Sequence, residues 1–325
     1  VREDGSATAI PESDLSLMSA DSPAVIQYTS GSTSDPKGVV LTHQNLLKNV
    51  EGMQAHGKLS EASVGVSWLP PYHDMGLISG LILPVCTGYH SVLSSSGGFF
   101  SRPVCWLEYI DRYKATITGG PNFAFDLCVD KVKDEDIKGL DLSSLQAVFN
   151  GAEPVRAATL IRFAQRFAHL GFNADSFSPV YGLAEGTLMS TGIPSWEPPV
   201  VRDFDHDLLA CGYASPPDGD SQSVPLVSCG TPLVGHAAMI NDPISMKPLD
   251  EGKIGEICIG GPSVSPGYLN QSGESGFQQS RSNAATMEFR TGDLGFISEG
   301  HLFVTGRNKD LIIIRGRNVY PQDIE

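Results

Sequence analysis

Between Pro23 and about Tyr181, short β-branched or aromatic runs alternate with amphipathic helical stretches, and few folds accommodate that alternation. AVIQYTS is followed by THQNLLKNVEGMQ, SVGVSWLP by GLISGLILPVC, TITGG by NFAFDLCVDKV, and LQAVFNG by VRAATLIRFAQRFAHLG. Strand and helix in strict succession imply an α/β fold with a mainly parallel sheet covered by helices. Thr42 stands as an N-cap before Gln44, and Leu160, Phe163, Ala164 and Phe167 recur at helical spacing. After Gly230 the rhythm changes. GHAAMIND, KIGEICIGG, HLFVTGR and DLIIIRG are separated by Pro, Gly and Asp turns, which implies a β-rich, barrel-like or twisted-hairpin subdomain. Between the two lies an excursion rich in proline and aspartate with a short helix expected at its centre. The divisions read from this pattern are a polar leader or linker at 1–22, the α/β core at 23–193, an insertion at 194–227, the β-rich subdomain at 228–305 and a hinge region at 306–325.

Composition removes several classes of function. A chain of 325 residues with 41% hydrophobic and 18% charged residues is neither disordered nor fibrous. Its 22 basic against 37 acidic residues give a net charge of −15, a field that repels polyanions, so nucleic acid is not expected as a partner. The longest apolar stretch, Met75 to Cys86, is too short for a membrane span, which needs roughly 20 residues. The six cysteines form no C-x-x-C pair and read as reduced core thiols of a cytoplasmic protein.

The most informative local motif is Tyr28-Thr29-Ser30-Gly31-Ser32-Thr33-Ser34-Asp35-Pro36-Lys37-Gly38, between an apolar strand and the helix that Thr42 caps. Small residues let backbone approach phosphate oxygens, hydroxyls and N–H groups donate to them, and Lys37 supplies a point charge. Gly38 follows Lys37 where an NTPase P-loop requires Ser or Thr, so that loop type does not fit.

The same loop resembles the phosphate loop of the adenylate-forming superfamily, and further blocks follow in that family's order. They are Tyr72-His73-Asp74-Met75-Gly76-Leu77, Asn150-Gly151-Ala152-Glu153-Pro154, Tyr181-Gly182-Leu183-Ala184-Glu185, Gly255-Glu256-Ile257, Arg290-Thr291-Gly292-Asp293-Leu294-Gly295 and Gly306-Arg307 with Lys309-Asp310. Within the superfamily the chain is most similar to fatty acyl-AMP ligases, through SWLPPYHDMGLI, GGPNFAFDLC, LDLSSLQAVFNGAEPVR and GRNVYPQDIE. The resemblance implies ATP-dependent activation of a medium- or long-chain fatty acid to an acyl-adenylate, then transfer to the phosphopantetheine thiol of an acyl carrier protein. A long-chain acyl-CoA synthetase and a non-catalytic nucleotide- or acyl-binding remnant are the alternatives. Whether the enzyme stands alone or loads a polyketide or lipopeptide synthase is left open.

Roles carry over residue by residue. Thr29, Ser30, Gly31, Ser32, Thr33 and Lys37 would hold the triphosphate, Glu185 a Mg²⁺ ion, and Tyr181 with the Asn150-Gly151-Ala152-Glu153 loop and Gly182 the adenine. Asp293, expected in a loop, and Arg307 would hold the ribose. His73 would sit beside the reacting carboxylate, and Met75, Gly120, Pro121, Asn122 and Phe123 would line the acyl slot. Each also has a plainer reading, as a solvated lysine, a turn-capping acid, a core tyrosine or a turn aspartate. Arg156, Arg162 and Arg166 on one helix are candidates for a basic patch facing an acidic carrier. The resemblance further implies an incomplete large N-terminal domain. The swinging C-terminal domain and its lysine have no counterpart, so this chain alone is expected to bind nucleotide but to turn over weakly. The segment 194–227 lies where fatty acyl-AMP ligases carry an insertion associated with disfavouring transfer to coenzyme A.

Overall fold

The computed structural model describes residues 19–29, 36–219, 221–270, 276–280 and 286–308, with the backbone of two further short strands. In chain order the first half holds β1 (Pro23–Thr29), β2 (Lys37–Thr42), α1 (His43–Gly57), β3 (Val64–Ser67), a π-helix (Met75–Ile82), α2 (Leu83–Thr87), β4 (His90–Leu93), α3 (Ser96–Ser101), α4 (Val104–Tyr113), β5 (Ile117–Gly120), α5 (Asn122–Lys131), β6 (Ala147–Asn150), α6 (Ala157–Phe167) and β7 (Phe177–Gly182). The second half holds β8 (Met189–Gly192), β9 (Val201–Asp205), α7 (His206–Ala210), β10 (Ser223–Val227), β11 (Thr231–Pro232), β12 (Ala237–Asn241), β13 (Gly255–Gly261), β14 (Gly267–Tyr268), β15 (Phe277–Gln279), β16 (Met287–Ser298), β17 (His301–Arg307), β18 (Ile312–Ile314) and β19 (Arg317–Val319).

The alternation seen in the sequence becomes a seven-stranded sheet in the order β11-β8-β7-β6-β5-β3-β4. The five strands from β7 to β4 run parallel, and β8 and β11 close one edge antiparallel. The chain steps outward from β3 to β4 and then crosses to the other side of β3 to form β5. This reversal opens a crevice beyond the carboxyl ends of β3 and β5, where open α/β sheets bind ligands.

Both faces of the sheet are covered. Trp106, Phe125, Phe163 and Phe167 from α4, α5 and α6 form one core with Trp68 and Phe177. Leu46, Val50 and Met53 from α1, with Ile78 of the π-helix, form the second against Ile117, Ile257 and Leu302. α1 begins as the sequence suggests: Thr42 Oγ1 accepts the Asn45 N–H at 3.1 Å, and Asn45 Oδ1 accepts the Thr42 N–H at 3.0 Å. That reciprocal cap satisfies two of the four N–H groups a helix leaves unpaired at its start.

The later region is antiparallel. β12, β13, β16 and β15 form one sheet with β17 paired to β16, and β14 joins β1 and β2 in a separate three-stranded sheet. Asp293, expected in a loop, lies inside β16 opposite Arg307 of β17. The difference arises because Asp293 follows Gly292, whose φ of 74° bends the strand locally without ending it. In the excursion at 194–227, β9 and β10 form an antiparallel pair flanking α7. Phe204 anchors the pair, packing edge-on against Phe296 and Phe303 at 4.9 and 5.2 Å between ring centroids.

Two expectations are corrected. Only Cys128, Cys229 and Cys258 are buried; Cys105 is half-buried, while Cys86 and Cys211 are exposed because they fall at or just beyond the ends of short helices. The arginines of α6 are not an unopposed basic patch. Arg162 pairs with Asp126 and Asp130, and Arg166 pairs with Asp134 at 2.5 Å, so acids on and just beyond α5 neutralise both.

Candidate active site

A cleft of about 1610 Å³ runs along the carboxyl ends of the parallel strands and is bounded on one side by β16 and β17. Lys37, His73, Glu185, Tyr181, Asp293 and Arg307 all line it. These residues come from five separate sequence blocks, and specific contacts hold the blocks together.

Thr29 and Lys37 are cross-strand partners at the ends of β1 and β2, so they bracket the phosphate loop. Ser30, Gly31, Ser32 and Thr33 lie outside the described residues. Gln27, buried in β1, donates its Nε2–H to the Tyr72 carbonyl at 3.0 Å and ties the loop's first strand to the block carrying His73. His73 Nδ1 lies 2.6 Å from Asp74 Oδ1. This hydrogen bond raises the His73 pKa above the usual histidine range, against the opposing effect of burial, and favours the imidazolium. Asp74 also accepts the Met75 N–H at 2.7 Å and caps the π-helix. Gly76 is required there, since a Cβ would sit 2.0 Å from the Pro70 carbonyl oxygen.

Glu185 follows β7 in the short helical turn Ala184–Gly186. Its carbonyl accepts the Ser265 N–H at 2.8 Å, and Thr187, held at a φ of 76°, donates its hydroxyl to the Ser263 carbonyl at 2.6 Å. The turn is thereby clamped by the strand connection from β13 to β14. Glu185 Oε1 accepts the Tyr268 O–H at 2.6 Å. Burial raises the Glu185 pKa most; the Tyr268 bond opposes it, and the negative charges of Asp74 and Asp293 add to it.

Asp293 is held from both sides. Its Oδ2 accepts the Tyr181 O–H at 2.8 Å and its Oδ1 accepts the Arg307 Nε–H at 3.1 Å. Burial drives the Tyr181 phenol well above its ordinary pKa, and the charge of Asp293 adds to that. Next to it an ion pair joins buried Glu256 of β13 to half-exposed Arg290 of β16. Glu256 accepts from Arg290 Nε at 2.9 Å and from the Gly292 N–H at 3.2 Å, which joins the Gly255-Glu256-Ile257 and Arg290-Thr291-Gly292-Asp293 blocks.

The remaining expected residues divide. Ala152 and Glu153 line the cleft, Ala152 at a φ of 67°, whereas Asn150 and Gly151 lie behind them, fully or nearly buried. Gly182 lines the cleft, and its missing Cβ leaves space for the Leu188 carbonyl oxygen, which would lie 1.6 Å away. Met75 lines it too, but Gly120, Pro121 and Phe123 do not. Phe123 instead stacks on Phe100 at 6.0 Å and 10° and packs edge-on against Trp68. The apolar part of the cleft is built from Val66, Leu83, Ile117, Phe149 and Met189.

Asn122, expected from the sequence to line the acyl slot, instead bonds the Pro154 carbonyl and the Arg156 N–H at 2.8 and 3.1 Å and so fixes the exit of the 150–154 loop. Sequence reading missed Tyr268. Among the described residues no three His, Cys, Asp or Glu side chains gather to cage a metal ion. A hard cation takes oxygen ligands, and Glu185, whose carboxylate lines the cleft, is the side chain that would hold one.

The family described as AMP-binding enzyme matches residues 2–269. The chain is 40% identical over 314 residues to the medium-chain-fatty-acid–[acyl-carrier-protein] ligase JamA of Moorena producens, covering 95% of this chain and 53% of that protein. It is 41% identical over 317 residues to the putative fatty-acid–CoA ligase FadD21 of Mycobacterium tuberculosis, covering 94% of this chain and 54% of that one. The crystal structure of fatty acyl-adenylate ligase from L. pneumophila, in complex with acyl adenylate and pyrophosphate, superposes with a TM-score of 0.85 at 43% identity, over 95% of this chain and 54% of that chain. The chain thus spans about half the length of the curated relatives it matches. With the family match covering most of its length and relatives at this identity, the chain belongs to the AMP-binding enzyme family of adenylate-forming proteins.

Proposed function

We propose that this chain is the nucleotide- and acyl-binding body of a fatty acyl-AMP ligase. The carrying observation is that Lys37, Glu185 and Asp293 line one cleft that also has an apolar stretch of wall formed by Val66, Leu83, Ile117, Phe149 and Met189. A fatty carboxylate is ionised at neutral pH, so its oxygen attacks the α-phosphorus of ATP without a general base, and pyrophosphate leaves. The protein's task is to hold two anions together and balance the charge between them.

In this reading Lys37 and the hydroxyls from Thr29 to Thr33 hold the β- and γ-phosphates. Tyr181, Gly182, Ala152 and Glu153, supported by Asn150 and Gly151, bound the adenine slot, and Asp293 with Arg307 takes the ribose hydroxyls. His73 lies beside the reacting carboxylate and α-phosphate. Glu185 is the side chain that would hold Mg²⁺, which would supply positive charge to offset that of the phosphates. Met75 and the apolar lining take the acyl chain, which we place as medium or long.

The acceptor is proposed to be the phosphopantetheine thiol of an acyl carrier protein, as the name of the Moorena producens relative indicates for that protein. The relative named as a putative fatty-acid–CoA ligase supports coenzyme A as the second reading. We read the β9–β10 pair, packed on β16 and β17, as the segment associated with disfavouring coenzyme A, which supports the carrier. A cytoplasmic setting fits six cysteines without a disulfide among the described residues. No helix among those residues is long and apolar enough to cross a membrane.

Supplying the protein with ATP, a fatty acid, and either coenzyme A or a holo-carrier tests the acceptor. Acyl-carrier without acyl-CoA supports the proposal. Ready formation of acyl-CoA overturns it in favour of the second reading.

A further inference from the structure

Tyr268 stands out because one side chain touches two of the groups assigned to the phosphates. It follows Pro266 and Gly267 in the short strand β14, whose pairing with β2 aligns Tyr268 with Val39. The Leu269 N–H donates to the Gly38 carbonyl at 2.7 Å, so the backbone on either side of the ring is locked to the end of the phosphate loop. The residue is 9% exposed, and Phe277 packs edge-on against it with centroids 5.1 Å apart. From this fixed position its hydroxyl donates to Glu185 Oε1 at 2.6 Å, while its face carries Lys37 Nζ at 5.0 Å from the ring centre.

We propose that Tyr268 is a positioning residue that sets Glu185 and Lys37 in register for a metal-bound triphosphate, its hydroxyl aiming the carboxylate and its ring aiming the ammonium. The inference rests on the nucleotide reading of those two residues given above. A hydrogen bond to one carboxylate oxygen removes rotation about the terminal bond and directs the other oxygen, the device by which outer-shell partners orient metal-binding carboxylates. An aromatic face within about 6 Å attracts a lysine ammonium and restricts a side chain that is otherwise free to sweep through solvent. Neither contact requires Tyr268 to touch nucleotide.

The two halves of the proposal separate by substitution. Tyr268→Phe keeps the ring and loses the hydroxyl, and Tyr268→Leu loses both. Mn²⁺ binding in the presence of ATP, read by electron paramagnetic resonance, reports the carboxylate, and calorimetric titration with metal-free inorganic pyrophosphate reports the lysine. Tyr268→Phe is expected to weaken Mn²⁺ about tenfold and leave pyrophosphate unchanged. Tyr268→Leu is expected to weaken Mn²⁺ equally and pyrophosphate about threefold. Unchanged Mn²⁺ affinity in a folded Tyr268→Phe variant overturns the proposal, as does an equal loss of both ligands in that variant, which marks a general packing role. The Phe variant decides the carboxylate arm even if the Leu variant does not fold. Failure of the unsubstituted protein to bind either probe refutes the nucleotide reading itself, an outcome distinct from the others.

Discussion

Glu256 supports the stretch of β16 that carries Asp293, and on the proposed reading its replacement by glutamine should be felt both in stability and in nucleotide binding. The residue is 4% exposed, accepts two N–H groups of Arg290 and one of Gly292, and sits on β13 beside Asp293. Breaking a fully buried pair by removing one partner costs about 3–5 kcal/mol. Here the Arg290 side chain is 37% exposed and can be rehydrated, and glutamine still accepts the Gly292 N–H, so the expected loss is about 2 kcal/mol. That corresponds to a fall in Tm of roughly 3 °C for a chain of this size. Passing half of that loss to the Asp293 turn, about 1 kcal/mol, weakens ATP about fivefold. Thermal melting by circular dichroism and calorimetric titration with ATP give the two numbers. A variant that melts within a degree of the unsubstituted protein would show that the Arg290 pair contributes nothing net. A large loss of stability with ATP affinity intact would refute the idea that Glu256 supports the ribose site.

Two further predictions concern the same cleft. Gly182→Ala puts a methyl group where the Leu188 carbonyl oxygen lies, 1.6 Å away, and because that oxygen is backbone the pairing of β7 and β8 must shift; a loss of at least about 3 kcal/mol in denaturant unfolding is expected, and unchanged stability contradicts the geometry. The His73 pKa is raised by its hydrogen bond to Asp74, so its folded value exceeds its unfolded value; the stabilising charge is fully present below about pH 6.5 and is lost as pH rises through the raised folded pKa. ATP affinity measured from pH 5 to 9 should fall along that limb, and Asp74→Asn should move the limb to lower pH; a limb that stays in place after the substitution rules out Asp74 as the cause.

Much of the scaffold was legible in the chain because it rests on local patterns. Parallel strands buried on both faces read as short apolar runs, and Leu160, Phe163 and Phe167 face the core at the spacing the helix requires. Thr42 caps α1 for reasons contained within four residues. The π-helix at Met75–Ile82 was not legible, since its apolar residues fit any helical period and its start depends on the Pro70 carbonyl pressing on Gly76. Tyr268 and the bonds that Asn122 makes were not legible for a related reason. Each residue sits in a stretch that looks like an ordinary loop or helix start, and each acquires its role only when distant segments pair, β14 with β2 in one case and the 150–154 loop with α5 in the other. The arginines of α6 looked like a basic face because the acids that answer them lie more than thirty residues away in sequence. Motif residues marked where the cleft is, and tertiary contacts determine which side chains support it.

The account depends on Lys37, Glu185 and Asp293 acting on one nucleotide. Calorimetric titration of Mg·ATP into the protein and into the Lys37→Met, Glu185→Gln and Asp293→Asn variants tests this directly. One nucleotide per chain is expected, with each substitution weakening binding about tenfold or more, as loss of a charge-assisted contact should. Absence of binding to the unsubstituted protein, or an affinity that none of the three substitutions changes, would contradict it.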